Sequence, residues 1–237
     1  MLDGRRITQI AGGFLVALIL ASPAFGQQDY VGRFDAFAGF TYLNSPHVSL
    51  AEKGFHLQAG VRPIRWLSLG FDYSRSTGDL TLTPDLLVDS LAAQINGTIA
   101  ALKAAQQLPA SYALVVPSGS TTQTFAGGPQ VSFHHFKAVT IFVRPSVGFI
   151  HEVAVPRPGD PFATQVVANL APSGQKIDTV VFYGVGGGVD LNITKNFAIR
   201  AQGDFVHDHL FKDTLKDSRN TVRLSIGPAF QFGGNVK

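Results

Sequence analysis

The chain of 237 residues carries 19 Lys and Arg against 16 Asp and Glu, and charged residues make up only 15% of it. So even a balance excludes a basic nucleic-acid-binding surface, and the absence of cysteine excludes disulfides, thiolate metal sites, cysteine nucleophiles and a lipidated N-terminal cysteine. A soluble protein of this size carries about 25% charged residues; the low charge, with 25 Gly and 19 Phe, suits a surface that faces lipid.

Residues 1–26 read as a cleaved secretory signal peptide: Arg5 and Arg6 form a positive start, 10–21 an apolar stretch, and Ala24 and Gly26 the small residues before the cut. No later stretch offers some eighteen uninterrupted apolar residues, so 27–237 can enter a membrane only as a closed barrel.

Eight segments then alternate apolar with small or polar residues, the period of a strand with two unlike faces. The first, 30–43, sets Phe34, Ala36, Phe40 and Tyr42 against Arg33, Asp35, Gly39 and Thr41. In 54–63, Phe55, Leu57 and Val61 oppose His56, Gln58 and Arg62; in 66–76, Leu69, Phe71 and Tyr73 oppose Ser68, Asp72 and Ser74. In 122–134, Phe125, Val131 and Phe133 oppose Thr124, Gln130 and Ser132. The fifth, 139–152, has Arg144 on its polar face, which Phe142 and Ile150 interrupt. The sixth, 178–191, carries Gly184, Gly186, Gly188 and Asp190; the seventh, 197–207, carries Arg200, Gln202 and Asp204. The last, 220–232, alternates Val222, Leu224, Ile226, Phe230 and Phe232 with Arg223, Ser225, Gly227 and Gln231. Connections after even strands are tight, and those after odd strands are long, above all 77–121. Short turns on one rim and long loops on the other are the asymmetry of outer-membrane barrels.

The 77–121 insertion contains a helix signal: Thr83 as N-cap, Pro84 at the first position and Asp85 at the positive end. Leu87, Leu91, Ile95, Ile99 and Leu102 form its apolar stripe, suited to capping the barrel mouth, lying on the outer leaflet or docking an extracellular ligand or protein. A second short helix is expected near 162–170.

Residues 184–205, a Gly-rich strand ending in Asp190, a tight turn, then Phe197, Ile199 and Arg200, resemble the penultimate hairpin of the outer-membrane-protein-A-type membrane domain. Ser225, Gly227, Phe230 and Phe232 look like the β-signal by which bacterial barrels are handed to the barrel assembly machinery. The resemblance implies an all-β, eight-stranded antiparallel up-and-down transmembrane β-barrel in the outer membrane of a Gram-negative bacterium, in contact with its lipids. Only GGNVK follows Phe232, so no peptidoglycan-binding domain is expected.

The polar faces predict an interior network of Arg33, Asp35, Arg62, Asp72, Arg144, Asp190, Arg200, Asp204 and Arg223, because an eight-stranded barrel is just wide enough for side chains to fill. Such a network is either a structural plug or a narrow polar path. No catalytic, metal or cofactor site is indicated; His207 or His209 with Ser120 or Ser218 are the sole catalytic candidates, without motif context. The expected role is a structural or interaction anchor presenting loops. A narrow channel for small ions or solutes is the alternative, and a lipid-modifying enzyme the second.

Overall fold

The computed structural model describes residues 28–237 except 49, 217 and 218, so the expected signal peptide lies outside the described residues. Eight strands form a closed antiparallel barrel in sequence order: β1 Gly32–Ser45, β2 Leu50–Ile64, β3 Leu67–Leu82, β4 Val116–Phe133, β5 Val139–Pro156, β6 Lys176–Asn192, β7 Phe197–Asp208 and β8 Arg219–Asn235. β8 closes on β1, with Phe40 opposite Ile226 and Tyr42 opposite Leu224. The alternation in the sequence is the alternation of burial, and β2, for example, buries His56, Gln58 and Arg62 while Phe55, Leu57 and Val61 face out.

Phe and aliphatic side chains clothe the outside. Phe40 is 54% exposed, Trp66 53%, Phe133 57%, Val147 59% and Val181 59%. In water so continuous an apolar surface would be costly; an outward apolar band about 25 Å tall is what a bilayer requires of a barrel. Aromatics pair along it, Phe34 stacking on Phe232 at 5.6 Å and Tyr73 meeting Phe125 at 4.8 Å. No helix among the described residues is long and apolar enough to cross a membrane.

The strands run further than the sequence alternation indicates. β3 continues to Leu82 and β4 begins at Val116, which shortens the expected 77–121 loop to 83–115; likewise β5 reaches Pro156 and β6 starts at Lys176. In these extensions the inward face turns apolar, with Leu80, Val116 and Ala154 buried, while the outward face is polar in β3 at Thr77 and Asp79 but apolar at Val155 and Ile177, so alternation loses its contrast. On the opposite rim the turns are short, as at 65–66, 134–138 and 193–196.

Two helices sit in the long connections, α1 (Asp89–Ala104) and α2 (Pro161–Leu170). α1 begins later than the capping pattern indicates. Thr83 and Pro84 open a single 3-10 turn, Pro84–Leu86, and the chain is extended at Leu87 before α1 starts after Val88. Leu87 is therefore not on the helix; it bridges to Leu215 and is fully buried. Its apolarity continues the stripe in sequence but serves a β-bridge in space.

Candidate functional site: a filled lumen under an apolar cap

The inward faces stack polar layers from one rim to the other. At the short-turn rim, the Gln28 side chain accepts from Thr140 Oγ1 at 3.2 Å and lies 2.9 Å from His134 Nδ1, while the Arg65 guanidinium donates to the Gln28 carbonyl. Burial, then Arg62 and Arg65 nearby, push the His134 imidazole down to about 4 from an ordinary 6.5. Above it Arg62 donates to the Gly32 carbonyl at 2.8 Å and faces Asp35 at 3.5 Å, whose carboxylate also accepts from Ser68 at 2.9 Å.

The next layer centres on Arg200. Its guanidinium donates to both oxygens of Asp190 at 2.7 and 2.8 Å and to Gln58 at 2.9 Å. Its guanidinium carbon lies over the Phe142 ring at 4.6 Å and over the Phe37 ring at 5.7 Å. The glycines of β6 make the room: a Cβ on Gly188 would meet the Phe142 ring at 2.7 Å, and one on Gly186 would meet Asp204 Oδ1 at 1.9 Å. The Gly-rich run 184–188 is thus a recess in the wall.

At mid-height two arginines share two aspartates. Arg144 lies 3.0 Å from Asp72 and 3.2 Å from Asp204; Arg223 lies 3.0 Å from Asp204 and 3.4 Å from Asp72, and also donates to Ser74 and Thr124 at 3.0 Å. His56 joins through Asp72 at 3.6 Å and Ser225 at 3.0 Å. Buried charges at such spacing are tolerable only when paired and hydrogen-bonded in this way. Higher still, Glu52, Glu152 and Asp208 are fully buried; Thr122 donates to Glu52 at 3.0 Å and Ser120 to Glu152 at 3.3 Å.

Eight of the nine charges named from the sequence therefore lie inside: Asp35, Arg62, Asp72, Arg144, Asp190, Arg200, Asp204 and Arg223. Arg33 does not. The β1–β8 register shifts between Gly32 and Phe34, and this irregularity leaves both Arg33 and Phe34 exposed; one displaced residue exchanges the faces of a strand. Sequence reasoning set Phe142 and Ile150 on the polar face of their strand, and both are buried, but it gave Phe142 no part in the network and passed over Phe37, whose break in the alternation was the available signal. His56, Gln58 and Gln202 stood on the polar faces without being joined to the network. Of the terminal-strand residues, Ser225 points inward while Phe230 and Phe232 are exposed.

Above the lumen, the long connections build a second core. Ile95 and Ile99 of α1 are buried in one apolar cluster with Leu43, Leu80, Leu114 and Val116, and Leu91 and Ile95 face Phe162, Val166 and Leu170 of α2; Leu102 is half-buried. α2 is fixed by Asp160, whose carboxylate accepts from Ala163 N at 2.9 Å as N-cap and from Tyr112 Oη at 2.9 Å. Burial and the Asp160 carboxylate push the Tyr112 hydroxyl up to about 12. Tyr112 also meets Phe162 edge-on at 6.0 Å. The connections after β3, β5 and β7 thus converge on one lid.

The catalytic candidates do not assemble. Ser120 is buried in the lumen, whereas His207 lies on the outward face of β7, bonded to Asn220 at 2.8 Å and edge-on to His209; Ser218 lies outside the described residues.

A closed strand ring with an apolar exterior and an ion-paired interior defines a membrane-spanning β-barrel. No protein-family model matches the chain, and no curated protein sequence matches it. Among solved structures it is similar to eight-stranded outer-membrane barrels. Neisserial surface protein A aligns at a TM-score of 0.49 with 14% identity, covering 84% of this chain and 96% of that one. The attachment invasion locus protein Ail of Yersinia pestis, in complex with the heparin analogue sucrose octasulfate, aligns at 0.46 with 11% identity over 84% and 96%. OprG from Pseudomonas aeruginosa aligns at 0.46 with 7% identity over 88% and 99%. The assignment of lipid-facing and interior surfaces rests on this chain's own residues.

Proposed function

We propose that this protein is a bacterial outer-membrane anchor whose working part is its extracellular cap, and that it forms no through-path for ions or solutes. One observation carries the reading: the lumen is crossed by the Arg144–Asp72–Arg223–Asp204 cluster at mid-height, and above it lies the apolar cluster of the long connections, which includes Leu87, Ile95, Ile99, Ala163 and Phe211. An ion would have to separate buried pairs and then cross an apolar lid. In this reading the short-turn rim, with both chain ends, faces the periplasm, and Phe230 and Phe232 are displayed to the assembly machinery from β8. The charge network serves as a plug that fixes the barrel's register.

The test is planar-bilayer recording on the refolded full chain. Silence over the ±100 mV range is expected. Discrete, reproducible openings would replace the anchor with the narrow channel.

A further inference from the structure

We infer that the groove between α1 and α2 is a binding site for a neutral sugar, seating one pyranose ring. The groove holds about 230 Å³, below the roughly 300 Å³ at which pockets for drug-sized ligands begin, a size suited to a single six-membered ring. Both helices build it by the same spacing. Leu91 and Ile95 of α1, with Phe162, Val166 and Leu170 of α2, recur every fourth residue and form an apolar floor. Gln94 and Thr98 follow the α1 pair by three residues, as Gln165 and Asn169 follow Phe162 and Val166, so each helix adds a polar rim beside its share of the floor.

No charged residue lines the groove, and α2 carries none along its whole length, although its outer face is exposed. A carboxylate, sulfate or ammonium entering here would lose water with no opposite charge to replace it. The carboxamides of Gln94, Gln165 and Asn169 are exposed and bond to no other described residue. Thr98 Oγ1 donates to the Gln94 carbonyl at 2.9 Å, which commits its proton within the helix and leaves it an acceptor.

Each carboxamide sets an acceptor oxygen beside an NH2 donor in one plane. Two neighbouring hydroxyls of a sugar complement that arrangement, because each hydroxyl both donates and accepts. The floor meets the other half of a pyranose, its apolar C–H face. Phe162 supplies an aromatic ring there, packed edge-on against Tyr112 at 6.0 Å, and Tyr112 is fixed in turn by Asp160. A purely apolar ligand would cover the amides without pairing them, and a purely polar one would leave the floor in water. Supply of the sugar from outside the cell rests on the orientation proposed above; binding in the groove does not.

The test uses the full chain in lipid nanodiscs with methyl-labelled Leu, Val and Ile. It is titrated with the methyl glycosides of glucose, galactose, mannose and N-acetylglucosamine, with methyl glucuronide as the charged control and cyclohexanol as the apolar one. At least one neutral glycoside should give saturable shifts at Leu91, Ile95, Val166 and Leu170, and bind more tightly than either control. Gln165→Ala with Asn169→Ala should weaken it about tenfold, and Phe162→Leu about fivefold. Both amides are exposed and leucine keeps the apolar bulk, so these variants fold, as unchanged methyl signals from the barrel strands would verify. Saturation by none of the four glycosides, equal binding of either control, or shifts undiminished in both variants would overturn the site. Failure of the anchor reading is separate: openings in the bilayer recording alongside saturable glycoside shifts would sink the anchor and support the groove.

Discussion

Arg200 lies over the Phe142 ring inside the barrel, the guanidinium carbon 4.6 Å from the ring centroid, with both oxygens of Asp190 accepting from the guanidinium. The phenyl face takes the place of water on a cation that is fully buried, and the bidentate carboxylate neutralises it.

Removing one partner of this pair is therefore expected to cost far more than removing both. Asp190→Asn leaves a buried charge uncompensated, at about 3–5 kcal/mol. The double change Asp190→Leu with Arg200→Met should cost markedly less. Urea unfolding in lipid vesicles, followed by the single Trp66, measures both. Equal penalties for the two variants would contradict this account.

Gly186 sits where a Cβ would lie 1.9 Å from Asp204 Oδ1. Gly186→Ala must push Asp204 away from Arg223 and Arg144, so folding yield should drop and urea resistance fall by on the order of 2–4 kcal/mol. Gly97, with nothing within 4 Å of an added Cβ, is the control: Gly97→Ala should be neutral or slightly stabilising.

At the lid, Asp160→Ala removes the N-cap of α2 and the acceptor of Tyr112 together. A loss of about 1–2 kcal/mol is expected locally, read as faster amide exchange over 161–171 with the barrel strands unaffected. Uniform loss of protection throughout the barrel would show that the lid is not a separate unit.

The His134 imidazole is held neutral in the fold. The unfolded chain takes up a proton near 6.5 and the folded one only near 4, so stability is full above 6.5 and falls as pH drops toward 4. The first consequence should be release of the Gln28 segment from the short-turn rim, seen as proteolytic clipping of the N-terminus near pH 4.5 that His134→Gln abolishes. Clipping that is independent of this residue would assign the acid sensitivity elsewhere.

Alternation along each ribbon determined the barrel, its strand number, its two faces and the rim that carries the long loops, because a period of two is local and survives without knowledge of partners. The register decided the rest. Which arginine meets which aspartate depends on how far neighbouring strands are staggered, so Arg144 meets Asp72 while Arg200 turns to Asp190. Arg33 faced outward through a shift at Gly32, and Phe37 and Phe142 became the walls of a cation site that residue type alone would place in lipid. The position of α1 followed from Ile95 and Ile99 joining the apolar cluster that the long connections build, beside α2. No local pattern encodes that meeting, since it joins residues from the connections after β3, β5 and β7 across the width of the barrel.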